Sequence, residues 1–218
     1  VQCEDEIAGC ASAVGASFAG ALAVTSTSGP GICLKSEAMN LAVIMELPLV
    51  VLDVQRGGPA TGLPTKSEQT DLLQVLFGRN GESPMPVIAA TSPTDCFDAA
   101  FNACKIAVER MTPVILLTDA FIANGSAAWK LPDISQYPAI VPPYVNEEMK
   151  EGWSPYKRNP ETDVRYWAVP GTPGFTHRIG GVEKSAATGA ISNDPANHHS
   201  MVETRARKVE KIAFDIPE

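Results

Sequence analysis

LPLVVLDV (47–54), running without a break into QRGGPATGLPTKSEQTDL (55–72), is the stretch that decides the fold. Its first eight residues are too continuously apolar for a half-exposed strand, and they predict a central strand of a parallel sheet covered on both faces. Ligands of open α/β sheets bind just beyond the carboxyl ends of such strands, which is where the second segment begins. There Gly57, Gly58 and Gly62 free the backbone for close approach, Arg56 offers a planar cationic fork, and Thr61 and Thr65 offer directional hydrogen bonds. Such a loop suits a small anion. A surface loop whose arginine pairs with a neighbouring acid would have the same composition. A nucleotide-binding P-loop would not: Gly57 and Gly62 have its spacing, but Leu63 occupies the lysine position and Lys66-Ser67 comes too late.

Strand and helix alternate on both sides of this segment. Glu4-Asp5-Glu6 begin a helix with Ile7, Cys10, Ala11, Val14, Phe18 and Ala21 at helical spacing, and its small residues permit close packing. A strand is expected over 21–27, a tight turn at Gly29-Pro30-Gly31 and a helix over 33–46. Beyond the loop come a helix over 67–77, a buried strand over 86–90, and a helix over 92–110 with Phe97, Ala100, Phe101, Cys104 and Val108 on one side. A strand over 113–118 ends the series. This alternation implies right-handed βαβ crossovers and an open parallel sheet with helices on both faces.

The expected organisation is an α/β domain over 1–128, an extended arm of the same domain over 129–190, and a C-terminal helix and linker over 191–218. All three Trp and all four Tyr fall between Trp129 and Trp167, among prolines and without a period. They fit either a protein–protein contact or packing of the arm on its own domain. Asp194-Pro195 starts the last helix, with Met201, Val202, Ala206, Val209 and Ile212 as its apolar stripe.

The 218 residues, 44% hydrophobic and 19% charged, can bury a substantial core. A net charge of -8 without a Lys/Arg cluster argues against nucleic acid or an anionic membrane as partner. The five cysteines lack CxxC spacing, and Cys10, Cys33 and Cys104 read as reduced core thiols of a cytoplasmic protein. No membrane-spanning apolar stretch or signal peptide is legible. The chain opens on Val1-Gln2-Cys3 instead of Met, which suggests a fragment or processed product.

Three features share one end of the expected sheet: Glu4-Asp5-Glu6, Thr25-Ser26-Thr27-Ser28-Gly29-Pro30-Gly31 and the Arg56 loop. Acids at a helix start usually serve the helix dipole. Here Glu6 precedes a small-residue helix and a strand ending in Thr-Ser-Gly-Pro-Gly, an arrangement similar to the pyrimidine-binding domain of thiamine diphosphate enzymes. Within that superfamily the chain resembles the alpha subunit of 2-oxoacid:ferredoxin oxidoreductases, particularly the 2-oxoglutarate type. The resemblance is carried by EDEIAGCASAVGASFAGA, TSTSGPG, DVQRGGPATGLPTKSEQTDL, PGTPGFTHRIGG and DPANHHSMVETRARKVEKIA, which span nearly the whole chain in order.

The resemblance implies oxidative decarboxylation of a 2-oxoacid with coenzyme A, giving acyl-CoA, carbon dioxide and reduced ferredoxin. It assigns Glu6, with Glu4 as fallback, to the aminopyrimidine ring nitrogen; Arg56 and Thr65 to the substrate; and Gly29, Pro30 and Gly31 to the cofactor ring. The usual Gly-Asp-Gly…Asn magnesium diphosphate motif and a cysteine cluster are not in the sequence. The resemblance therefore implies that thiamine diphosphate is shared with a beta subunit carrying Mg2+, the diphosphate site and an iron–sulfur cluster. Relatives also carry a preceding strand–helix unit and a following domain, so that unit is expected to be missing here and the chain alone to lack turnover. A non-oxidative decarboxylase or carboligase shares Thr-Ser-Gly-Pro-Gly, and a non-catalytic interaction subunit could keep the fold. The adjacent His198-His199 do not have metal-pair spacing on a helix and read as exposed helix-start residues. His177 reads as structural, and Ser26, Ser28 and Ser36 lack the local setting of an activated nucleophile.

Overall fold

The computed structural model describes residues 1–63 and 66–215. Helix α1 (Glu6–Phe18) starts where Asp5 turns its carboxylate back to accept the Ala8 amide at 2.8 Å, satisfying one amide that a first turn leaves free. Strand β1 (Val24–Thr27) follows, then α2 (Gly29–Leu34), α3 (Ser36–Met45), β2 (Leu49–Gln55), α4 (Leu72–Phe77) and β3 (Val87–Ala89). The remaining elements are α5 (Cys96–Arg110), β4 (Pro113–Asp119), α6 (Ala120–Asn124) and α7 (Pro195–Glu210). The four strands form one parallel sheet in the order β1-β2-β4-β3.

Register explains the continuous apolar runs. Val51 lies beside Ile115 and Leu52 beside Leu116, so residues of equal parity share a face. Leu49, Val51, Ile115 and Leu117 pack with Cys10 and Val14 of α1 and Met39 and Ala42 of α3. On the other face Val50, Val114 and Leu116 pack with Ala99, Ala103, Ile106 and Ala107 of α5. Each central strand is buried on both sides, as its composition requires.

Several local expectations are corrected. Gly29-Pro30-Gly31 is not a tight turn but the opening of α2: Ser28 is the extended cap, and the fixed φ of Pro30 suits a first turn. Lys35 ends α2 and caps α3, so the expected single helix is two. Cys33 is exposed, not a core thiol, because α2 buries Gly31 and Ile32 instead. Ile7 and Phe18 are likewise exposed, since α1 covers the sheet through Cys10, Val14 and Ser17. Strand β3 is a half-buried edge, and the helix expected over 67–77 begins only at Leu72. On α5 the side bearing Phe97 and Phe101 turns away from the sheet toward the arm, whereas the alanine-rich side lies on it.

The arm packs on its own domain. Tyr137 meets Phe97 and Phe101 edge-on at 5.4 and 4.8 Å, Trp129 lies 6.0 Å from Phe97, Tyr144 stacks on Trp167, and Trp153 meets Phe175. What anchors its far end is ionic. Glu46, fully buried at the left-handed end of α3, accepts two hydrogen bonds from Arg158 (2.5 and 2.8 Å) and one from Lys208 (2.6 Å). Lys208 also donates to the Met111 carbonyl at 2.8 Å, and Arg165 donates to the Glu46 carbonyl at 3.1 Å. Burial alone would push the Glu46 carboxyl up; the charges of Arg158 and Lys208 and their hydrogen bonds outweigh it and hold it below the usual range. The expected stripe of α7 is therefore also corrected: between Met201 and Ile212 its buried residues are Arg205 and Lys208.

Candidate functional site

β1 and β2 end side by side, with Thr27 paired to Asp53, and the N-terminus of α1 stands over the same rim. A Cβ on Gly31 would lie 2.0 Å from Thr27 Oγ1 and 2.9 Å from Glu6 Cγ, with Glu6 Oε1 at 3.4 Å. Glu6 thus lies directly against this glycine, where no larger residue fits, and its side chain is exposed at the rim. Lys35 steadies this corner: its Nζ donates to the Glu6 carbonyl at 3.2 Å and to Thr25 Oγ1 at 3.1 Å.

Arg56 meets the same first turn of α2 at its Ser28 end. Its Nε donates to Ser28 Oγ at 3.2 Å, and Nη1 donates to the Thr61 carbonyl at 3.0 Å. The loop behind it is closed by Gly57 N–H to the Lys66 carbonyl and Gly62 N–H to the Pro59 carbonyl, both 2.8 Å. Gly62 has φ +50, and a Cβ there would fall 2.1 Å from the Gly57 carbonyl oxygen, so this turn requires glycine. Thr65 lies outside the described residues.

Glu6 and Arg56 therefore meet one turn, 28–31, at its two ends, but they open onto different concavities. Arg56, Gly29, Pro30, Cys33, Glu68 and Asp71 line a cavity of about 670 Å³. Glu6, Glu4, Thr25 and Lys35 line a smaller one of about 430 Å³. Among the described residues, no group of three or more His, Cys, Asp or Glu is gathered as a metal site.

Beneath this first turn of α2 lie two buried acids. Asp53 is fully buried, and among the described residues neither of its carboxyl oxygens has a donor partner. Its neighbour Asp71 is also buried; its amide donates to Gln55 Oε1 at 3.0 Å and its Oδ1 accepts from Thr70 at 3.1 Å. Burial and the adjacent Asp71 push the Asp53 carboxyl up to about 7. The legible signal was a lone acid inside an otherwise apolar central strand.

The other candidates have ordinary surroundings. His177 lies edge-on to Trp153 and shares a hydrogen bond with the Phe175 carbonyl, and burial lowers its pKa. His198 and His199, exposed on the first turn of α7, pair separately with Glu183 and Glu203. No described helix is long and apolar enough to cross a membrane.

Residues 1–194 match the family model described as pyruvate flavodoxin/ferredoxin oxidoreductase, thiamine diphosphate-binding. Over 211 residues the chain is 56% identical to the 2-oxoglutarate oxidoreductase subunit KorA of Mycobacterium tuberculosis, covering 97% of this chain and 32% of that protein. It is 37% identical to the alpha subunit of 2-oxoacid:ferredoxin oxidoreductase 1 of Aeropyrum pernix, covering all of this chain and 34% of that one. Among solved structures, the 2-oxoglutarate:ferredoxin oxidoreductase of Magnetococcus marinus, with 2-oxoglutarate, coenzyme A and succinyl-CoA bound, superposes with a TM-score of 0.91 at 35% identity. That superposition covers 100% of this chain and 37% of the other. The chain thus spans about a third of the length of these relatives.

Proposed function

We propose a function on one premise: the chain belongs to the thiamine-diphosphate-binding family of pyruvate flavodoxin/ferredoxin oxidoreductases. The reading is that it forms the pyrimidine-binding side of the active site in the alpha subunit of a cytoplasmic 2-oxoacid:ferredoxin oxidoreductase. The substrate class is a 2-oxoacid, with 2-oxoglutarate the specific choice because it appears in the names of the M. tuberculosis and M. marinus relatives. The products are acyl-CoA, carbon dioxide and reduced ferredoxin. The observation that carries this reading is the shared contact of Glu6 and Arg56 with the 28–31 turn.

Thiamine diphosphate, when bound, supplies the carbon nucleophile and the electron sink for decarboxylation. In this reading Glu6 holds a proton at the pyrimidine ring nitrogen. Gly29, Pro30 and Gly31 form the wall on which the ring rests. Arg56, already oriented by Ser28 and the Thr61 carbonyl, orients the substrate carboxylate through charge-assisted hydrogen bonds. Thr65 adds a hydrogen bond to the substrate. A beta subunit holds Mg2+, the diphosphate and an iron–sulfur cluster, and each subunit contributes one side of the site. This chain's role is positioning, which is where much of the rate of a two-component reaction originates.

The test is to assemble the full-length chain with its partner subunit and measure 2-oxoglutarate- and CoA-dependent reduction of ferredoxin. The expected result is acyl-CoA formed in step with reduced ferredoxin. Aldehyde or carboligation product formed without CoA would instead assign the non-oxidative branch.

A further inference from the structure

Asp53 and Asp71 sit where the two ends of the site are joined. Asp53 is in register with Thr27, whose hydroxyl abuts Gly31, and lies three residues before Arg56. The Asp71 carboxyl oxygens stand 3.2 and 3.3 Å from the position a Cβ would take on Gly29, and Asp71 lines the Arg56 cavity. Ionised carboxylates only accept hydrogen bonds, so two of them side by side in a buried site repel each other unless a proton lies between them.

Among the described residues no cation pairs with these two acids, because the charged groups on the surrounding elements are directed elsewhere. Glu6 of α1 lies on Gly31, and Lys35 at the end of α2 bonds to Thr25 and the Glu6 carbonyl. Arg56, just past β2, bonds to Ser28 and Thr61; Glu68 accepts the Gly58 amide at 3.3 Å. Asp119 of β4 accepts from Gln69 at 2.7 Å and from two amides of α6. Among the described residues, a proton shared with Asp71, whose Oδ2 is likewise buried without a partner, is what can satisfy an Asp53 oxygen.

We propose that Asp53 and Asp71 share one proton, and that this carboxyl pair is a positioning element which holds the Gly29–Gly31 turn and the Arg56 strand end together for 2-oxoacid capture. The proposal rests on the functional reading above. Loss of the proton puts two negative charges under the turn and beside the cavity meant for an anion, so capture weakens while Arg56 stays charged. The raised Asp53 carboxyl sets this change near neutrality.

The experiment uses the full-length chain in its assembled complex, with Asp53→Asn and Asp71→Asn as isosteric variants that keep a hydrogen bond within the pair; the first removes its titrating group and the second the anionic neighbour of that group. Infrared difference spectra near neutral pH should show the carbonyl band of a protonated carboxyl in the parent protein, absent from Asp53→Asn. In parallel, KM for 2-oxoglutarate should rise by up to about tenfold per pH unit above neutrality in the parent, stay flat in Asp53→Asn, and begin its rise at lower pH in Asp71→Asn, where Asp53 loses its anionic neighbour. Absence of the protonated band from the parent, its persistence in Asp53→Asn, or an unaltered alkaline rise of KM in a folded variant would overturn the proposal. A complex that does not oxidise 2-oxoglutarate would count against the functional reading alone, because the infrared band reports on the pair without turnover.

Discussion

At the scale of single residues, the roles proposed for Glu6 and Arg56 predict different failures. Glu6→Gln keeps the contact with Gly31 but cannot exchange a carboxyl proton. Turnover by the assembled enzyme should fall by about 10²-fold or more, the usual range for a lost acid–base group, with KM much less affected. Retained turnover would remove Glu6 from the proton path. Arg56→Ala should instead raise KM by roughly 10–100-fold, because a bound carboxylate loses a charge-assisted partner worth about 1.5–3 kcal/mol. Steady-state kinetics with varied 2-oxoacid separates the two effects. In the sequence Arg56 stands out as the cation of a glycine-rich loop that follows an apolar strand, whereas Glu6 stands out through the small-residue helix it opens and the family resemblance. Asp53 and Asp71 were not singled out, since they are 18 positions apart and only strand register with the return of the chain before α4 brings them together.

At the scale of elements, the 28–31 turn depends on its glycines more than on its proline. Gly31→Ala inserts a Cβ against Thr27 and Glu6, and overpacking of this kind typically costs about 1–3 kcal/mol. Thermal unfolding should detect that loss. Turnover should fall well beyond it at temperatures where the variant is folded, because Glu6 must shift off the turn; a variant with parent turnover would contradict the contact. Strands β2 and β4 could be read in advance because two-sided burial leaves an unbroken apolar run, and α5 because its length and period agree. For α7 the periodicity gives the helix and the buried Met201 and Ile212 but not Arg205 and Lys208 between them, since it gives no weight to an arginine or lysine neutralised by a distant glutamate. Cys33 was misjudged for the converse reason: its apolar neighbours belong to two short helices, and the break at Lys35 rotates it outward.

At the scale of the whole molecule, Glu46 governs acid stability. Its carboxyl is depressed in the folded chain, so the stabilisation is present above its ordinary value of 4.5 and is lost progressively as pH falls below it. Glu46→Gln keeps the volume but leaves Arg158 and Lys208 without a counter-charge. Removing one partner of a buried ion pair costs about 3–5 kcal/mol, or roughly 6–20 °C in Tm for a chain of this size. The variant should also lose the steep part of the parent's acid limb. An unchanged Tm would mean that the charges are satisfied by other groups.

The same carboxylate makes contact with segments that are far apart along the chain: Arg158 lies 112 positions away and Lys208 162. A peptide bond cut in the exposed stretch around Glu147–Glu148 should therefore release nothing: the two pieces should co-elute as one particle at neutral pH and separate only once acid discharges the clasp.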